Sequence, residues 1–129
     1  MMRCLTGLLF CVSLCAMTAC SSPVRAADEL PAIDRAVAEK LSYLRDVWPI
    51  VKRHCWGCHS GSNPKGGLRM DTVALMIKGG ESGDLFESGK PDESLLLDMI
   101  AGDEPAMPPK GPPLSAAKLQ ILRGWILAG

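Results

Sequence analysis

Cys55-Trp56-Gly57-Cys58-His59 is the stretch whose residue types and spacing most directly define a chemistry. Two cysteines three apart, with a histidine directly after the second, read as a c-type haem attachment site. Positions i and i+3 of a helical turn share a face, so both thiols can reach the two vinyl groups on one porphyrin edge. His59 is carried beneath the ring, where its imidazole is placed to ligate the iron from the proximal side. Gly57 presents no side chain to a flat macrocycle lying close to the backbone. Three other chemistries use the same residue types. A thioredoxin-like redox pair expects a βαβ context, of which the sequence shows no sign. A closed zinc site needs four ligands, and only His54 is at hand beyond these three. A plain disulfide is the remaining alternative.

A low-spin electron-transfer haem takes a sixth ligand, and a thioether is a common partner to histidine. Four methionines lie beyond the N-terminal apolar run. Met76 and Met99 fall inside short amphipathic segments, where packing explains them. Met70, at the start of a helix, fits packing or ligation. Met107 lies in Glu104-Pro105-Ala106-Met107-Pro108-Pro109-Lys110-Gly111-Pro112-Pro113, five prolines in ten residues, 48 positions beyond His59. Prolines fix φ and remove amide donors, so this is a stiff extended loop that lowers the entropy lost when Met107 ligates. Met107 is therefore the expected distal ligand. His54, immediately before Cys55, is expected to point away from the face that the two cysteines use and to remain a surface or supporting residue.

Helices must position these groups. From Asp34, Ile33, Val37, Leu41 and Leu44 form one apolar stripe at the 3.6-residue period. Pro49 suits the first position of a further helical stretch that leads into Cys55. Ser60 to Gly67 form a turn-rich loop. Asp71 reads as the cap of a short helix over Thr72–Lys78 that Gly79-Gly80 stops. Glu81 to Lys90 are irregular. Pro91–Ile100 read as another short helix, with Asp92 or Ser94 as cap and Leu95, Leu96 and Met99 as core. Ser115 caps a last helix through Leu127 whose apolar stripe is Leu119, Leu122, Trp125 and Ile126. The fold class expected is all-α: a small helical domain wrapped around one covalent haem. Aromatic content is only 5%, so a buried porphyrin would supply much of the apolar bulk.

Residues 1–26 read as a signal peptide. Arg3 gives the basic start, and Leu5 to Ala19 give an apolar run too short for a span of about 20 residues. Val24-Arg25-Ala26 fits ordinary cleavage. Met17-Thr18-Ala19-Cys20 also resembles a lipoprotein box, a signal ending before Cys20 with a lipid anchor on that cysteine. Four of the six cysteines, Cys4, Cys11, Cys15 and Cys20, fall in this region, which leaves no disulfide framework downstream. Removal of Arg3 and Arg25 leaves 12 basic against 14 acidic side chains, a net charge of −2 that points to no nucleic-acid partner. The organisation is thus a signal over 1–26, an N-terminal amphipathic helix over 27–46 and the haem domain over 47–129.

The stretch from about Val47 to Ala128 resembles the planctomycete-type cytochrome c domain. The resemblance rests on Trp48-Pro49-Ile50, Lys65-Gly66-Gly67-Leu68-Arg69-Met70-Asp71 and Gly79-Gly80-Glu81-Ser82-Gly83. It continues through Gly89-Lys90-Pro91-Asp92-Glu93-Ser94-Leu95-Leu96, Met107-Pro108-Pro109 and Leu122-Arg123-Gly124-Trp125-Ile126. It implies haem c on Cys55 and Cys58, iron ligation by His59 and Met107, and first and last helices packed together beside the haem. One departure is Ser88 before Gly89, where the family typically has proline. Such domains often open much longer proteins, so this chain reads as a free-standing small cytochrome or a shortened member.

The function expected is that of an exported, periplasmic one-electron carrier rather than an enzyme, soluble or lipid-tethered, working with redox partner proteins. The alternative is a haem-based enzyme or sensor with an open distal site. Lys52, Arg53, Lys65, Lys78, Lys90 and Lys110 are either a weak docking patch or scattered surface charges.

Overall fold

Asp34 lies in extended backbone and its carboxylate accepts the Ala36 N–H at 2.7 Å. That satisfies one of the amides a helix start leaves without a partner, and α1 (Arg35–Ala38) follows. The computed structural model describes residues 30–129; the expected signal, its cleavage sites and Cys20 lie outside the described residues.

The helix expected from Asp34 does not run through. Its stripe breaks, with Val37 52% and Leu44 74% exposed, while Ala38 and Val47 are fully buried. The reason is local. The chain turns extended at Ser42, whose N–H is taken by the Asp46 carboxylate at 2.7 Å. Helical winding then restarts as a π-turn over Tyr43–Val47. A restart of this kind shifts the phase of the period, so residues spaced on one uninterrupted helix no longer share a face.

α2 (Trp48–His54) carries Pro49 in its first turn, where a missing N–H costs nothing. α3 (Val73–Lys78) is capped by Thr72, whose hydroxyl accepts the Leu75 N–H at 3.3 Å. Asp71, expected in that role, instead accepts from Arg69 Nε at 2.8 Å and from the Gly61 N–H at 3.3 Å. The segment expected as one helix over Pro91–Ile100 is a 3₁₀ turn, Pro91–Glu93, followed by α4 (Leu95–Ile100). Ser94 is the cap: it is fully buried and its Oγ accepts the Leu97 N–H at 3.3 Å. α5 (Ala116–Ala128) buries Leu119, Leu122 and Ile126, each worth roughly 1.5–3 kcal/mol of transfer free energy.

α5 packs on α1, the π-turn and α4. The approach to the N-terminal segment passes over Gly124, where a Cβ would lie 2.7 Å from Ile33 Cδ1 and 2.8 Å from Leu41 Cδ1. Every aromatic ring among the described residues joins one chain of contacts. Trp56 meets Trp48 (6.1 Å between centroids), Trp48 meets Tyr43 (6.3 Å), Tyr43 meets Trp125 (5.5 Å) and Trp125 meets Phe86 (5.2 Å). Few aromatics therefore suffice, because tilted and edge-on pairs link the start of α2 to α5. The described residues are helical with no strand; Gly80 and Gly83 form an isolated bridge. No helix among them is long and apolar enough to cross a membrane.

Candidate functional site

α2 ends at His54, and the backbone coils on beyond it. The Cys55 N–H donates to the Val51 carbonyl at 2.9 Å, and the N–H groups of Cys58 and His59 both donate to the Cys55 carbonyl at 3.1 Å. This overwound turn presents Cys55, Cys58 and His59 to one cavity of about 230 Å³. The following loop folds back under the motif. The Lys65 N–H donates to the Cys58 carbonyl (3.0 Å) and the Met70 N–H to the His59 carbonyl (2.7 Å).

The same loop orients the imidazole. His59 Nδ1 lies 3.1 Å from the Lys65 carbonyl oxygen. A carbonyl can only accept, so Nδ1 carries the hydrogen and the Nε2 lone pair is left free, the arrangement a metal-ligating histidine requires. Both cysteines are unpaired thiols, Cys55 half-buried and Cys58 exposed. Burial pushes the Cys55 thiol up to about 11, so at neutral pH it is protonated and slow to react.

The facing wall comes from Leu85, α4 and the proline-rich loop. Met107 and Pro108 line the cavity, and the Met107 N–H donates to the Met99 carbonyl at 2.8 Å, which anchors the loop to the end of α4. The structure thus brings Cys55, Cys58, His59 and Met107 to a single cavity. Half of the remaining lining residues are leucine, isoleucine or methionine, glycine and proline supply most of the rest, and no carboxylate is among them. Two thiols three apart, an imidazole of defined tautomer, a thioether and apolar walls fit a haem c.

Three placements, those of Met99, Leu95 and His54, differ from the sequence reading. Met99, expected in the core, is 37% exposed and lines the cavity, as does Leu95; Leu96 and Ile100 are buried yet also reach the cavity, and Leu97 is buried away from it. α4 is apolar on nearly all sides, a signal that a helix has two surfaces to cover. Met70, by contrast, is fully buried and touches the cavity from the attachment side, while Met76 is core and receives the Tyr43 hydroxyl at 3.9 Å from its sulfur. His54 does not point away: it lines the same cavity, and its Nε2 lies 3.0 Å from Lys118 Nζ of α5. Cys55 already departs from helical geometry (φ −121°), so a helical-face argument does not extend across it. Burial first, then the charges of Lys118 and Arg53, push the His54 pKa below the ordinary histidine value.

Residues 55–111 match the family model described as Planctomycete cytochrome C. The match includes both cysteines, His59, Met107 and the loops that carry them, and leaves α1, α2 and α5 outside. No curated protein and no solved structure matches the chain.

Proposed function

With residues 55–111 a planctomycete cytochrome C segment, we propose that this protein is an exported c-type cytochrome that carries one electron at a time on a single haem c. Cys55 and Cys58 would hold the group covalently, and His59, through Nε2, and Met107, through its thioether sulfur, would ligate its iron. Bound haem supplies reversible one-electron chemistry between Fe(III) and Fe(II). The chain's own residues do the rest. The Lys65 carbonyl holds the His59 ring in one tautomer, and the prolines around Met107 limit the freedom that ligation would remove. Leucine, isoleucine and methionine side chains make much of the cavity wall apolar, which raises the weight of each polar contact there.

The observation that carries this reading is the His59 Nδ1 to Lys65 carbonyl contact in the cavity that Met107 also lines. Residues 1–26 act in export to the periplasm. Cys20 provides a lipid tether if processing takes that route, which intact mass after export in a lipidating host reports. Redox proteins are the partners.

The test is the visible spectrum, oxidised and reduced, of protein matured in an oxidising compartment that attaches haem c. The expected result is a low-spin spectrum that becomes high-spin in Met107→Ala and stays low-spin in Met99→Leu. A wild type that is already high-spin replaces electron carriage with an open-site enzyme or sensor. Absence of covalent haem ends the proposal.

A further inference from the structure

The charges around the cavity are sorted. Residues 48–70, which carry the attachment motif, include Lys52, Arg53, Lys65 and Arg69 and no acidic residue. Residues 81–104, which supply much of the facing wall, include eight acidic residues and one basic. Ion pairing narrows the difference without removing it. Arg69 is paired with Asp71, Lys90 with Glu87 and Glu93, and Arg123 with Asp92. Arg53, Lys65 and Lys118 form no ion pair among the described residues. Lys65 and His54 line the cavity, and α5 brings Lys118 to 3.0 Å from His54 although the two are 64 positions apart. The fold therefore gathers unneutralised positive charge beside the cysteines, and no carboxylate lines the cavity to offset it.

We propose that Arg53, His54, Lys65 and Lys118 form a docking lip for the acidic face of a redox partner protein. The inference rests on the electron-carrier reading above. Complementary charge steers encounter and fixes orientation, and the acidic 81–104 side repels the same partner, so productive approach is confined to the attachment side. Lys90, one of six lysines and arginines that the sequence offers for such a patch, drops out because its charge is already neutralised.

The experiment follows electron exchange of the reduced holoprotein with two small oxidants of opposite charge, hexacyanoferrate(III) and tris(phenanthroline)cobalt(III), across ionic strength. One electron passes from the protein iron to the oxidant, giving Fe(III) protein and hexacyanoferrate(II) or the cobalt(II) complex, with no proton or bond transferred. The hexacyanoferrate rate is expected to fall several-fold between about 10 and 200 mM salt, as screening removes attraction. Arg53→Glu/Lys118→Glu should abolish that fall, whereas Arg35→Glu/Lys40→Glu on and just after α1, with the same change in net charge, should preserve it. A second readout needs no electron transfer. Redox-inert hexacyanocobaltate(III), titrated into the protein, should shift the NMR signals of His54 and Lys65 in wild type and not in the Arg53→Glu/Lys118→Glu variant. Equal responses of the two double variants overturn the lip. So does salt-sensitive cosedimentation of the protein with phosphatidylglycerol vesicles that Arg53→Glu/Lys118→Glu abolishes, which assigns the lip to a membrane surface. Absence of electron exchange with both oxidants counts against the carrier reading, and the anion titration still decides the patch.

Discussion

The two walls of the cavity are built in different ways. The attachment wall, residues 48–70, is held by short-range backbone hydrogen bonds: Cys55 to Val51, His59 to Cys55, Lys65 to Cys58 and Met70 to His59. Its chemistry-bearing side chains are neighbours in sequence. The facing wall is held by burial. Ser94 and Leu97 are buried away from the cavity, Leu95 and Met99 line it, and Leu96 and Ile100 are buried at its wall. A wall made of local hydrogen bonds can place a reactive group by sequence alone. A wall made of burial depends on what it packs against.

The walls should differ most in their response at Leu97. Leu97→Ala removes a fully buried side chain, and the expected loss is about 2–5 kcal/mol by denaturant titration. Leu95→Ala, on the cavity side of the same helix, should cost the unloaded protein under about 1.5 kcal/mol, because its site is already partly open. Equal losses would mean that α4 does not divide its faces as described.

Next in size is the joint between the walls. The Glu81 N–H donates to the Gly66 carbonyl at 2.8 Å. A Cβ on Gly80 would lie 2.5 Å from that carbonyl oxygen and 2.9 Å from Leu68 N, both backbone atoms. Gly80→Ala is therefore expected to destabilise by about 1–3 kcal/mol, since backbone cannot step aside as a side chain can. A midpoint unchanged within error would show that the walls are not locked there.

The smallest effect concerns the two thiols. In the unloaded protein Cys58 is exposed and Cys55 is pushed up to about 11 by burial. Mass spectrometry after iodoacetamide at neutral pH should find Cys58 labelled first. The thiolate is the reacting form, so Cys55 labelling should rise about tenfold per pH unit until pH approaches its raised value. Equal labelling of the two at neutral pH would remove the distinction within the attachment wall.

Much of this organisation is legible in sequence where the cause is local. Asp34 caps a helix, Pro49 opens one, Gly79 ends one with φ +71° and Ser94 caps another. The cap of α3 falls one residue later than the sequence suggests, because Asp71 and Thr72 are both competent acceptors. A salt bridge to Arg69 and the Gly61 amide draw Asp71 away. The N-terminal stripe failed for a related reason: periodicity assumes one continuous helix, and the Ser42–Asp46 contact resets it.

By itself the sequence determined the cysteine and histidine spacing, the proline-rich loop around Met107, the sorting of charge between 48–70 and 81–104, and the all-helical character. Each is carried by residue type or by separations of a few positions, which backbone geometry converts directly into structure. Only the tertiary structure decided that His54 joins the cavity beside Lys118, that Met99 leaves the core, and that five aromatic rings link α2 to α5. Those outcomes turn on which distant surface meets which face, and a helix apolar on most sides acquires its inside and outside only when its neighbours arrive.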